Sequence, residues 1–190
     1  MHGHGLPDEG AVGFNGTTEQ AINLSIVLKL QELLDQSGAK TILTRSDENG
    51  IYDLDSDSIK NKKVSDIKNR VEIGNHSNAD IFISIHLNKF SDSKYRGWQT
   101  FYQEENEKSK QLATLIQDYI NQNIDYDNNR KVLPIYNVYI TKNVTIPTVI
   151  VECGFLSNPE ESELLKTNEY QNKLVWGIFI AIQQYFYEGS

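Results

Sequence analysis

Two apolar runs, Asp80-Ile81-Phe82-Ile83-Ser84-Ile85-His86 and Pro147-Thr148-Val149-Ile150-Val151-Glu152, each stop on a residue that can carry charge. Runs of this length without polar alternation read as strands covered on both faces, as in a parallel sheet held between helices. The flanking segments supply those helices. Helical spacing recurs in Ile22, Ile26, Leu30, Leu33 and Leu34, in Val64, Ile67 and Val71, in Leu112, Leu115, Ile116, Tyr119 and Ile120, and in Leu174, Ile178, Ile182 and Phe186. Thr17 and Gln20 have capping-box spacing before the first of these, Gly38 stands at its exit, and Pro159 fits the first turn of another helix. Residues 41–44, 98–102 and 138–141 read as shorter strands, and 45–63 as a polar surface loop. The implied architecture is α/β: a mainly parallel twisted sheet flanked by helices on both faces, in a single domain over 1–190.

A chain of 190 residues, 38% of them hydrophobic, can bury a full core, and no linker, repeat or low-complexity tract divides it. The net charge of −8 argues against a broad grip on nucleic acid phosphates. Cys153 is the only cysteine, so neither an intrachain disulfide nor a cysteine-based metal site is expected, and the residue reads as a small buried apolar group. No apolar stretch approaches the roughly 20 residues of a spanning helix. The start at Met1-His2-Gly3-His4 lacks a signal-peptide core, so a soluble chain without a transmembrane segment is expected.

In open α/β sheets ligands gather outside the carboxyl ends of the strands, where His86 and Glu152 both fall. Glu19 lies in the first turn of the first helix, and a loop containing Gly5, Gly10, Gly13 and Gly16 leads from it back to His4. Two imidazoles and a carboxylate can hold a zinc ion with one position open, and a further carboxylate can handle the proton of a bound water. Plainer readings stand beside this one. His4 could be a free terminal residue with His2 an added one, Glu19 could complement the helix N-terminus by about 0.3–1 kcal/mol, and His86 could be a satisfied buried histidine. Glu152 resists such a reading, because an ionised carboxylate closing Val-Ile-Val is costly to desolvate without a partner or a task. His76, on a polar helix end, reads as solvated.

Three segments together resemble the zinc-dependent N-acetylmuramoyl-L-alanine amidases of bacterial cell walls. His4-Gly5-Leu6-Pro7-Asp8-Glu9-Gly10-Ala11-Val12-Gly13, continuing to Glu19, is similar to the family's first metal segment. Arg70-Val71-Glu72-Ile73-Gly74-Asn75, continuing through Ala79 to His86-Leu87-Asn88, is similar to the segment that carries the second histidine. Residues 146–158, Ile-Pro-Thr-Val-Ile-Val-Glu-Cys-Gly-Phe-Leu-Ser-Asn, are similar to the segment with the catalytic glutamate. The resemblance implies hydrolysis of the amide between N-acetylmuramic acid and L-alanine in peptidoglycan. One zinc per chain would be held by His4, Glu19 and His86, with Glu152 as general base and then acid. Substrate contacts are implied at Asn88 and along Gly154, Phe155, Leu156, Ser157 and Asn158.

The compact catalytic unit resembles the subgroup acting on spore cortex, which places it outside the cytoplasm, in the cell wall or forespore envelope. One departure stands out. Family members enter the first histidine from a hydrophobic strand and an Asp-x-Gly-His turn, whereas here Met1-His2 stands in place of the aspartate and its neighbour. The expectation is that the upstream strand is missing or replaced, that His4 is weakly held, and that an activating protein partner orders the zinc loop. The alternative functions are a non-catalytic wall-binding or regulatory protein with the same fold, and a zinc peptidase acting on other peptides.

Overall fold

The computed structural model describes residues 3–189. Helices α1 (Glu19–Gln36) and α2 (Ile59–His76) precede strands β1 (Phe82–Asn88) and β2 (Gln99–Gln103). Helix α3 (Glu107–Asn123), strand β3 (Leu133–Ile135), helix α4 (Tyr139–Asn143) and strand β4 (Thr148–Phe155) follow, and helices α5 (Pro159–Leu165) and α6 (Asn168–Glu188) close the chain. Met1 and His2, which the sequence reading sets in place of the relatives' aspartate, lie outside the described residues.

The sheet runs β1-β4-β2-β3, with β1 parallel to β4, β2 parallel to β3, and an antiparallel junction between β4 and β2. It is thus mainly parallel, with one reversal. Alternation along each strand divides the apolar residues between two layers. Ile83, Ile85, Leu87, Val149, Val151 and Cys153 face the main core, built with α1, α3 and α6, while Phe82 turns to a smaller core with Val71 of α2 and Ile140 and Val144 around α4. Helices therefore cover both faces.

Four local expectations are corrected. Thr18, not Thr17, is the N-cap of α1, and it makes no side-chain cap bond. Thr17 instead bonds the Asn15 carboxamide oxygen. Residues 41–44 form no strand; they line a groove of about 490 Å³ together with Ile81, Phe82, Ile83 and Ile85 at β1. Residues 138–141 are not a strand either, since Tyr139–Asn143 is helical and seats Ile140 in the smaller core, where packing overrides the β preference of Val-Tyr-Ile. The polar loop ends early, at Ser58, whose side chain caps α2 by accepting a bond from the Asn61 N–H. In α2 the helical spacing is real but the buried face is largely polar: Val64 and Ile67 are exposed, whereas Ser65, Asp66, Arg70, Val71 and Gly74 are buried.

Where α3 and α6 meet, Gly177 lets the two backbones approach. A Cβ there would lie 2.9 Å from Ile120 Cα and 3.0 Å from its backbone nitrogen. Gly177→Ala gains about 0.8–1 kcal/mol of helix propensity, but forcing two packed helices apart costs about 1–3 kcal/mol. The expected result is a lower urea midpoint at unchanged slope; a higher midpoint would show that the helices separate freely.

Candidate active site

Register across the sheet sets the first part of the site. His86 of β1 and Gln99 of β2 both pair with Glu152 of β4, so the three residues form one row over three neighbouring strands and share a face. Parallel β1 and β4 bring their carboxyl ends together, and the antiparallel junction brings the start of β2 to the same end. Glu19 enters from the first turn of α1 and is 3% exposed. Its Oε1 accepts from His86 Nδ1 at 2.9 Å and from the Leu87 N–H at 3.0 Å, and its Oε2 accepts from the Ala11 N–H at 2.8 Å.

His4 completes the group. Its Nε2 lies 3.4 Å from Glu19 Oε2, while its Nδ1 is 2.7 Å from Asp8 Oδ2. Asp8 also accepts from the Gly10 N–H at 3.2 Å and pairs with Lys63 at 2.8 Å. The backbone of His4 sits at φ +58, a left-handed conformation that persists only where surroundings impose it. Arg70 is one such tie: it is 1% exposed, donates to the His4 carbonyl at 3.1 Å and to Thr44 Oγ1 at 2.8 Å, and pairs with Asp66. Gly10 packs close to the same groups: at φ +69 an added Cβ would come within 2.6 Å of Glu19 Oε2 and 2.8 Å of His4 Cδ2. The expectation of a weakly held His4 is therefore corrected. Asp8, four residues downstream, supplies the ring acceptor, and Arg70 fixes the carbonyl.

The electrostatics follow from burial and neighbours. Burial alone would raise the Glu19 pKa, but the bond from His86 and the positive charge of His86 and His4 outweigh it and hold it at about 2. Burial favours neutral His86, yet the Glu19 bond and the charges of Glu152 and Glu19 move its pKa upward. For Glu152, burial dominates and neighbouring Glu19 adds to it, against the pull of His86 and His4, so its pKa rises to about 7. Its Oε2 is buried without a hydrogen-bond partner. A field that favours a proton among these groups also favours a metal cation.

The donor atoms of His4, Glu19 and His86 all lie within 4.8 Å of one another. Two imidazole nitrogens and a carboxylate oxygen so close together form a set that can hold a metal ion, with the unpartnered Glu152 oxygen beside it. Of the four residues singled out from the sequence, His4, Glu19 and His86 come together, and Glu152 stands in register with His86 on the neighbouring strand. Most of the expected lip residues have partners within the fold. Phe155 and Leu156 are buried, Ser157 Oγ accepts from the Phe90 N–H, and Asn158 caps α5 by accepting from the Glu161 N–H. Gly154 packs against Glu161, whose carboxylate accepts from the Phe155 and Gly97 N–H groups. Asn88 remains partly exposed, its side chain accepting from the Lys89 N–H. His76 is exposed at the end of α2, and the Cys153 thiol is buried with its pKa pushed up by desolvation, so neither joins the site.

A family model described as N-acetylmuramoyl-L-alanine amidase matches residues 1–184. The germination-specific N-acetylmuramoyl-L-alanine amidase of Bacillus subtilis (strain 168) is 36% identical over 98% of this chain and 78% of its own length. Among solved structures, the CwlD amidase from Clostridioides difficile, in complex with the GerS lipoprotein, superposes with a TM-score of 0.94 at 45% identity, covering 97% of this chain and 94% of its own. The catalytic domain of CwlV, an N-acetylmuramoyl-L-alanine amidase from Bacillus (Paenibacillus) polymyxa var. colistinus, gives 0.83 at 30% identity, covering 97% and 94%.

Replacing Arg70 by leucine should leave the Asp66 charge buried and unpaired while freeing the His4 carbonyl. Loss of one partner of a buried ion pair costs about 3–5 kcal/mol. Chemical denaturation should show a loss of that order, and an unchanged midpoint would mean that Arg70 does not secure the His4 loop.

Proposed function

This chain belongs to the N-acetylmuramoyl-L-alanine amidase family, and from that premise we propose that it cleaves the amide between N-acetylmuramic acid and the L-alanine of the stem peptide. The observation that carries the reading is the convergence of His4, Glu19 and His86 beside a buried, unpartnered Glu152 oxygen. His4, Glu19 and His86 would hold one zinc ion, matching the donor types that zinc takes. When bound there, zinc supplies Lewis-acid polarisation of a carbonyl and makes water more acidic.

The chain's own residues do the rest. Glu152, with a pKa near 7, can take a proton from the attacking water and return it to the leaving nitrogen. Water oxygen then joins the lactyl carbonyl carbon, the carbon–nitrogen bond breaks, and the amine of L-alanine departs with the proton. Glu19 keeps its charge throughout, because its hydrogen bonds and the neighbouring imidazoles favour the ionised form. Asp8 and Arg70 fix the ring and carbonyl of His4, and so position a donor rather than touch the substrate.

The biological setting is proposed from the relatives: peptidoglycan of the spore cortex, outside the cytoplasm, during germination or spore maturation. No helix among the described residues is long and apolar enough to cross a membrane. An activating protein partner is also proposed. Its support is the complex of the CwlD relative with a lipoprotein, not a loose zinc loop, since His4 is tied at both ring and carbonyl.

Purified protein loaded with zinc should release free stem peptide from defined muropeptides, seen by mass spectrometry, while leaving ordinary peptides intact. Chelation should abolish release, and Glu152→Gln should reduce it by about 10²–10⁴-fold with zinc content unchanged. Full turnover in that variant would remove Glu152 from the mechanism. Zinc affinity, measured by competition with a chelating dye, should fall about 10–100-fold in Asp8→Ala. It should also weaken as pH drops through the His86 pKa. Binding needs the neutral imidazole, and because that pKa is raised, proton competition begins at higher pH than for an ordinary histidine. A pH-independent affinity would contradict His86 as a ligand.

A further inference from the structure

Between His86 and Asn88 of β1 lies one residue, whereas between their partners Glu152 and Phe155 of β4 lie two. The extra residue is a bulge, placed directly after the glutamate that would handle the proton. Bulges re-aim the side chains next to them, and the backbone groups they displace from the ladder need other partners. On the β1 side the Leu156 N–H finds one, donating to the Asn88 carbonyl at 2.9 Å. On the other side the ladder with β2 has already ended, at Gln99 opposite Glu152.

A carboxylate takes over there. Glu161, 1% exposed in the first turn of α5, accepts from the Phe155 N–H through Oε2 at 2.7 Å and from the Gly97 N–H through Oε1 at 2.8 Å. It thus bridges the chain leaving β4 and the chain entering β2 at the point where their ladder stops. Gly154, inside the bulge, leaves room for it, since an added Cβ would lie 3.0 Å from Glu161 Cδ. Asn158 fixes the near end of the bridge by accepting from the Glu161 N–H at 2.9 Å. Burial raises the Glu161 pKa, against the two N–H bonds and the charges of Arg96 and Arg130. A carboxylate is costly to bury, and it stands here where both of its oxygens meet backbone donors.

The bridge needs an acceptor at each end. A glutamine would present one oxygen and one amino group, so one of the two backbone donors would face another donor. We infer that Glu161 is a positioning residue for the hydrolysis: by holding the bulge it sets the direction in which Glu152 is presented beside His86. Its bonds go to backbone groups downstream of Glu152 and upstream of Gln99, not to His4, Glu19 or His86. The metal-binding donors and the proton-handling group therefore have separate supports. The inference rests on the amidase reading for its assay.

The test is Glu161→Gln in the zinc-loaded protein, assayed on a defined muropeptide and expressed per folded molecule. A misdirected Glu152 should lower kcat about 10–100-fold. KM and zinc affinity should stay as they are, because the loss falls on the reacting step and not on binding. Glu161→Asp, which keeps both oxygens on a shorter stem, should recover part of kcat. Where the glutamine variant does not fold, the aspartate variant is compared with wild type instead, and its kcat should be lower at unchanged KM; full kcat there overturns the inference. A second readout needs no turnover. The carboxyl carbon resonance of Glu152, observed by NMR and identified by its loss in Glu152→Gln, should move in the Glu161 variants at fixed pH while that of Glu19 stays. A role limited to the fold would lower stability and leave both kcat and that resonance intact, and this result overturns the inference. So does a loss of activity that follows a loss of zinc. If wild type cuts no muropeptide but the Glu152 resonance still moves, the positioning role stands and the amidase reading fails.

Discussion

The buried charge of Glu19 organises the crevice end of this molecule. A carboxylate removed from water carries a penalty of several kcal/mol unless its oxygens are fully engaged. Here the Ala11 and Leu87 N–H groups and the His86 ring all point at it, with His4 close by. The donors come from two parts of the chain far apart in sequence: Ala11 in the entry loop, and the adjacent residues His86 and Leu87 of β1. Satisfying one anion therefore closes the loop onto the sheet and draws the two imidazoles together. Structure and proposed chemistry share a single atom group, so neither can change without the other.

Around that anion, support is layered. Asp8 holds the ring of His4, Lys63 balances Asp8, and Arg70 reaches from α2 to the His4 carbonyl. The polar buried face of α2 makes sense in this light. Asp66 and Arg70 occupy positions where a helix on a sheet would ordinarily place aliphatic residues, and they hold a left-handed backbone that solvent-facing loops seldom keep. On the other side of the row, Glu161 does comparable work for the Phe155 and Gly97 backbone, with Asn158 capping the helix that carries it.

The parts legible in the sequence were those with local signals. His86 and Glu152 announced themselves because apolar runs rarely end on titratable residues, and the principal helices followed from their spacing. Glu19 and His4 had weaker local cues, and the family resemblance joined them to the others. Asp8, Arg70 and Gln99 were not singled out, since their partners are set by tertiary contacts: Arg70 meets His4 across 66 positions, and Gln99 reaches Glu152 only through the sheet register. The misread strands at 41–44 and 138–141 failed for a related reason. β-branched residues favour extension only where a neighbouring strand or layer receives them, and at Ile140 the receiving layer accommodates a helix instead.

The single reversal between β4 and β2 also decides which end of β2 joins the row. Because β2 runs antiparallel to β4, its first residue, Gln99, lies opposite Glu152, so the segment that leads into β2 governs which side chain stands there. A slip of one residue would turn Gln99 to the other face and set Trp98 or Thr100, both fully buried, in its place.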